Sequence, residues 1–355
     1  MNKLTLLVSS LALLSSITMN ANDKGKIGVD KANLDLSIAP GEDFYQYATG
    51  GWQKNNPLDP QYARFGTFDE LAENSRNQVK DLIQNLDKSN PAKGTVAQKV
   101  NDLYKLGMDS VRLNAEGAAP IKEQLAIIAS MNRADLMKTI CWLHNDVTST
   151  LFGCFVMADL KNSDVNILYA GQASLGMGDR DYYLENDENS TKIRNAYINY
   201  IETVMKLAGY KPKAAKQAAK NVLKIETEIA KVTMTREESR DMSRLYNIFT
   251  VDQLQSEFPS IKWNEYFAAR KLNGVDKVCV TEPKAMAKVS ELMATLKDQE
   301  LKDYMAFDVI TTASSYLSDD FVDANFEMFS HVMSGKTVQE PRWKRAIGTP
   351  NGILC

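Results

Sequence analysis

The chain carries few residues able to drive chemistry on their own. Of its 355 residues only two are histidines, His144 and His331, and four are cysteines, Cys141, Cys154, Cys279 and Cys355. A catalytic zinc takes three protein ligands and keeps a further position open for water. The helical pattern H-E-x-x-H supplies two of those ligands and a general base. His144 lies in CWLHNDV and His331 in FSHVMSG; neither is followed by Glu or by a second His four residues on. Both read as helix-face or core residues. A Ser/His/Asp or Cys/His site would have to use one of the same two rings, and no serine stands in G-x-S-x-G. No Walker loop or G-x-G-x-x-G occurs, and Gly50-Gly51, followed by Trp52, reads as a break in the chain rather than a phosphate cradle. The cysteines form no C-x-x-C, and Cys141 and Cys154 sit in apolar stretches, where buried free thiols are expected. Asp179, Arg180, Asp181, Tyr182 and Tyr183 gather charge beside aromatics. Acid–base work is one use for them; an arginine held between flanking carboxylates and pinning a loop is the expected one. No catalytic and no metal-binding residue is assigned.

Composition narrows the class. Hydrophobic residues make up 44% and charged residues 25%, enough for a sizeable core, and the net charge of −3 carries none of the basic footprint of a nucleic-acid binder. Residues 1–21 have the pattern of a secretory signal peptide: a positive start at Lys3, a serine-diluted apolar run, and Ala21 at the cut. The run is shorter than the ~20 residues a membrane anchor needs, and no later segment suits a span. The sequence therefore predicts an exported protein, periplasmic or extracellular, with association to the cell envelope left open. Residues 22–40 read as a flexible lead-in.

Beyond residue 40 the chain is mainly helical. Thr67 with Glu70 fits a capping box ahead of Phe68, Leu71, Val79, Leu82, Ile83 and Leu86 at helical spacing. A second helix starts near Val96, Pro120 suits the first turn of a third, and Asn132 with Asp135 caps a fourth. Residues 151–159 and 166–169 form a β-hairpin across a polar turn. Further helices are predicted over 190–208, 212–231, 250–257, 283–296 and 300–316, with short apolar runs about Phe321 and Phe329. The fold class is mainly α, one large helical domain with a small β-hairpin element, and residues 41–355 are read as a single domain.

Five segments in order resemble the neprilysin and endothelin-converting-enzyme family of zinc peptidases, in particular its bacterial oligopeptidase members. They are DFYQYATGGW at 43–52, RFGTFDEL at 64–71, LGMGDRDYYL at 175–184, Tyr246-Asn247, and PRWKR at 341–345. The resemblance implies an N-terminal helical lid that, with a C-terminal catalytic half, encloses a chamber for peptides. It implies that zinc belongs to the full-length family and is not bound by this chain. It also implies that Arg64 lines the substrate cleft and can grip a peptide's terminal carboxylate, a task suited to a planar guanidinium. The alternative for Arg64 is a salt bridge at the helix cap. A second arginine found eight positions on in some relatives is Ala72 here. Animal members carry Cys where this chain has Gly41, Thr49, Gly107 and Ala346, the last two pairing with each other.

The resemblance runs to Gly352 and stops at Cys355, before any zinc-binding signature. The chain is thus expected to be truncated before the catalytic zinc domain, inactive alone, and association-prone through apolar surface left bare. Its expected partners are peptide substrates and the missing C-terminal half. The alternative is a catalytically inactive helical module that binds peptides or a protein.

Overall fold

The computed structural model describes residues 30–354, with side chains through Gly348. Residues 1–21, expected to be an export leader, the first part of the expected lead-in and Cys355 lie outside the described residues. The chain divides into two compact units, Met1–Asp59 and Pro60–Cys355.

In the first unit a 3-10 turn at Lys31–Asn33 precedes helix α1, Phe44–Asn55. Asp43 caps α1 by accepting the Gln46 N–H at 2.9 Å. The helix does not break at Gly50-Gly51, as the sequence suggests it would; it runs through both glycines. A Cβ on Gly51 would collide with the carbonyls of Ala32 and Leu34, and one on Gly50 with Asp35. The pair therefore permits close approach of residues 32–35 to the helix. Asp35 accepts from Lys54 at 2.8 Å and from the Ser37 N–H at 3.1 Å, and these bonds hold its carboxyl well below the usual range.

The second unit is mainly α. In chain order it holds α2 (Thr67–Ser89), α3 (Val96–Met108), α4 (Ser110–Glu116), α5 (Lys122–Ser130) and α6 (Leu136–Asp146). Strands β1 (Phe152–Asp159) and β2 (Asn162–Gln172) follow, then α7 (Asp181–Leu184), α8 (Glu188–Leu207) and α9 (Pro212–Ala230). Next come β3 (Asn247–Thr250), α10 (Val251–Glu257), α11 (Trp263–Ala269), β4 (Lys277–Val280), α12 (Pro283–Thr295) and α13 (Asp298–Ala313). The last are α14 (Asp319–Asn325), a π-helical turn at Phe326–Val332, and α15 (Arg342–Leu354).

The helix expected near Val96 starts there as α3, capped by Thr95, which accepts from the Gln98 N–H at 3.2 Å; at α10 Thr250 and Gln253 form a full capping box. Asn132 caps a 3-10 turn that leads into α6. The expected box at α2 is displaced by one residue. Gly66, not Thr67, is the N-cap, and its N–H donates to Asp69 Oδ2 at 2.9 Å, so Asp69 takes the part expected of Glu70. Gly66 has no side chain, and only this half of the box exists.

The predicted hairpin forms, pairing Phe152 with Gln172 through Met157 with Ile167. It belongs to a larger object. The sheet order is β1-β2-β4-β3, with β2 parallel to β4 (Leu168 opposite Val278) and β3 antiparallel to β4. The core lies where α8, α9 and α13 pack together and where Phe152, Phe258, Trp263 and Tyr266 meet beneath the sheet.

Candidate functional site

Two of the motifs, RFGTFDEL near the start of the second unit and PRWKR near its end, come together in space. The Pro60 carbonyl accepts from the N–H groups of Thr337 and Val338, at 3.1 and 3.2 Å, which ties the loop before α2 to the stretch before α15. The Lys344 side chain is 8% exposed and donates to Glu73 Oε2 at 2.7 Å and to the Tyr62 hydroxyl at 3.1 Å. Arg76 takes the other oxygen of Glu73 at 2.6 Å and approaches Glu340 at 3.8 Å. Lys80 lies 4.3 Å over the Trp343 ring. Tyr62 and Phe65 meet edge to face at 5.0 Å, and Arg64 stands between them in sequence.

The electrostatics of this brace follow from its contacts. Burial would raise the Glu73 carboxyl, but the bonds from Lys344, Tyr62 and Arg76 outweigh it and bring it down to about 2. Burial pulls Lys344 down while Glu73 and Tyr62 push it up, and the upward pull wins. Burial and Glu73 raise the Tyr62 phenol. Glu73 and Lys344 are thus ionised throughout the neutral range while Tyr62 stays neutral, and the brace locks the loop on both sides of Arg64.

Arg64 itself is exposed. No acid or other hydrogen-bond partner holds its guanidinium among the described residues, so the salt bridge considered for it at the helix cap is not formed. The structure leaves the arginine presented by a fixed loop, with its five donors available. The sequence motifs pointed to Arg64 and contained Lys344. They gave no hint of Tyr62, Glu73 and Arg76 as the supports; the 73–76 spacing on α2 is the only local signal these residues give.

The 175–184 and Tyr246-Asn247 motifs make internal contacts. Tyr183 donates to Glu226 Oε2 at 2.8 Å and receives the Met177 N–H at 2.9 Å; Tyr197 and the Gly176 N–H reach Glu226 Oε1, each at 3.1 Å. Glu226 is 2% exposed, and burial pushes its carboxyl up to about 7 against the lowering effect of those three donors. This, with the Asp179–Arg236 pair, is what pins the 175–184 loop. Arg180 is not clamped between Asp179 and Asp181, and its Nε is buried without a partner. Tyr246 donates to Asp159 at 3.2 Å, and Asn247 to the Val280 carbonyl at 3.0 Å.

Both histidines are accounted for by their surroundings. His144 Nδ1 lies 3.0 Å from the Tyr266 hydroxyl, and Nε2 lies 3.0 Å from the Thr150 carbonyl and 3.1 Å from its N–H. Burial lowers its pKa to about 4. His331 is exposed on the π-helical turn, 2.9 Å from Glu327. Among the described residues no group of three or more His, Cys, Asp and Glu could hold a metal ion. Cys141, Cys154 and Cys279 are free thiols. Gly107 and Ala346, the positions of the paired animal cysteines, face one another: a Cβ on Gly107 would stand 3.1 Å from that of Ala346.

The second unit is thus a mainly α body with a small mixed sheet, in which two distant motifs brace the loop that carries the exposed Arg64. The N-terminal model of peptidase family M13 matches residues 40–354, and the chain belongs to that family. It is similar to human endothelin-converting enzyme 1, 31% identical over 338 residues, which cover 91% of this chain and 43% of the human protein. It is also similar to neprilysin-3 of Drosophila melanogaster, 24% identical over 91% of this chain and 43% of that protein. Among solved structures it resembles zinc metalloprotease ZMP1 of Mycobacterium tuberculosis in complex with an inhibitor, with TM-score 0.84, 24% identity, and coverage of 92% of this chain and 50% of that one. PEPO of Lactobacillus rhamnosis matches with TM-score 0.76 and 18% identity, over 89% of this chain and 50% of that one. The chain therefore spans about half the length of the relatives it matches. The mycobacterial relative is a zinc enzyme; the described residues here do not fit a catalytic zinc site. No helix among them is long and apolar enough to cross a membrane.

Proposed function

We propose that this chain is the substrate-enclosing N-terminal region of an exported zinc metalloendopeptidase acting on oligopeptides, and that proteolysis requires a C-terminal catalytic half. The observation that carries the proposal is Arg64: exposed, without an acid partner, and held on a loop that Lys344, Glu73 and Tyr62 brace. Such an arginine is preorganised to bind a carboxylate bidentately, and the cost of ordering the loop is met before a peptide arrives. Export rests on the leader pattern of residues 1–21. The apolar side chains bared on α2, among them Phe68 and Leu82, suit a surface that meets a second lobe.

The test joins the full chain to an H-E-x-x-H-bearing catalytic half and follows cleavage of oligopeptides. Cleavage that needs zinc and stops with a chelator is expected. Arg64→Ala is expected to raise KM roughly 10–100-fold for peptides with a free C-terminal carboxylate, the size of a lost charged hydrogen bond, and to leave amidated peptides unaffected. Equal loss on both kinds of peptide would remove the carboxylate role from Arg64. A joined protein with no chelator-sensitive cleavage, but with peptide affinity in the N-terminal chain, would instead make this a binding module.

A further inference from the structure

A second site lies elsewhere in the same unit. A cavity of about 510 Å³ opens between α3, α4, α14 and α15, within the ~300–1,000 Å³ range of small-molecule sites. Its wall is apolar: Leu103, Leu106, Leu113, Val322 and Phe326 line it, and Tyr316, 53% exposed, stands at the mouth with Leu106.

The charges on this wall do not balance. Lys336, Arg342 and Arg345 line the cavity with Glu340 as the single carboxylate. Glu340 is shared by Lys336 at 3.7 Å and Arg76 at 3.8 Å. Arg342 is taken by Asp319 and by the Gly107 carbonyl at 3.2 Å. Arg345 is left over. Its hydrogen bonds go to the Gln339 side chain at 2.5 Å and the Glu340 carbonyl at 2.6 Å, both through Nη1, and no carboxylate lies within ion-pair distance among the described residues. Burial and the neighbouring Arg342 pull its guanidinium below the usual range, outweighing the longer-range attraction of Asp319, Asp323 and Glu340. A half-buried cation with no carboxylate in direct contact is costly, and a guanidinium with Nε and Nη2 uncommitted is shaped for a carboxylate.

We infer that this cavity binds an apolar chain ending in a carboxylate, of the size of a medium-chain alkanoate, with the alkyl part against Leu103, Leu113, Val322 and Phe326 and the head on Arg345. An alkyl chain asks nothing of that wall except burial, and the carboxylate supplies the missing charge. The inference stands apart from the peptidase proposal, because neither Arg64 nor a catalytic half takes part.

The test is calorimetric titration of the full chain with decanoate, decanol and decyltrimethylammonium. Saturable decanoate binding is expected, with decanol at least 10-fold weaker and the cation weaker still; this ladder needs no variant. Arg345→Gln is expected to bring decanoate down to the affinity of decanol. Val322→Trp, which fills the cavity, is expected to abolish both while leaving the thermal unfolding of the chain cooperative. Decanol binding as tightly as decanoate, or no saturable binding of either, overturns the inference. A Leu-terminated peptide acid that binds in place of decanoate, and loses affinity when amidated, overturns the alkanoate occupant and assigns the site to peptide C-termini.

Discussion

Helices α2 and α8 share a similar sequence pattern and meet opposite fates. Both are long, 23 and 20 residues, and both carry an apolar stripe at helical spacing. In α8 the stripe is consumed: Ile193, Tyr197, Tyr200, Ile201, Val204 and Met205 are all buried. In α2 only Ile83 is buried, while Phe68 is 89% and Leu82 64% exposed. Periodicity locates a face, but it does not say what covers it. The unit also differs in how it is held in the two places. Around α8 and α9 it relies on close packing and a neutral-leaning Glu226; around α2 it relies on an ionised brace, Glu73 with Lys344 and Arg76.

The largest effects should fall on the packed side of that contrast. Phe307, 2% exposed between Tyr197 and Tyr200, should cost about 3–5 kcal/mol as Phe307→Ala, whereas Leu82→Ala on α2 should stay within about 0.5 kcal/mol. Denaturant unfolding of the two variants measures this, and comparable losses would dissolve the distinction. The braced side can be strengthened instead. Gly107→Cys with Ala346→Cys should form a bridge between α3 and α15, worth about 2–4 kcal/mol and lost on reduction. A thiol titration that finds both new cysteines free under oxidising conditions would show that the two helices are not held at that distance.

The smallest effect separates the two carboxyls by pH. Glu226 titrates at about 7 in the fold, above its ordinary 4.5. Its neutral form therefore stabilises the fold fully below pH 4.5, and that contribution drains away as pH rises through about 7, a change on the order of 3 kcal/mol at most. Glu73, brought down to about 2, behaves oppositely: its stabilisation is present above pH 4.5 and lost as pH falls toward 2. Glu226→Gln should flatten the fall in melting temperature between pH 5 and 8 while leaving the acid limb unchanged. An unchanged slope would assign the fall to Asp303 and Asp308, whose carboxyls desolvation also raises; their partners are the Asn221 amide at 2.6 Å and the Thr150 hydroxyl at 2.5 Å.

Most helices were legible in the sequence because their stop and start signals are local. Asn132 and the Thr250/Gln253 box needed no tertiary information, and neither did the hairpin of residues 151–159 and 166–169. Strands β3 and β4 were not legible. NIFT and KVCV are four residues each, too short to show a period, and their pairing with the hairpin is set by contacts far along the chain. The cap of α2 slipped by one because Asp69 and Glu70 are both able to accept, and only the backbone decides between them. Glu226 was hidden as one acid in a charged helix, although it sits four residues after Val222 and beside Ile225 on the buried stripe; that placement was the available signal. At the candidate site, the motif singled out Arg64 as the residue to test. Its supports were not legible, since Glu73 and Lys344 meet only once the fold has closed.

The parallel pairing of β2 with β4 sets a timetable for the newborn chain. Leu168 cannot find Val278 until the more than one hundred residues between them have been made, roughly 5–20 s at ordinary rates of synthesis. Through that interval one side of β2 has its neighbour β1, and the other side has none. The hairpin meanwhile carries Phe155, Val156 and Met157 on β1, which remain exposed even in the finished molecule. A template with two open edges and an apolar surface is prone to pair with other chains. The hairpin is therefore where a chaperone would find its grip, and where slowed translation between residues 172 and 277 would first show itself as aggregation.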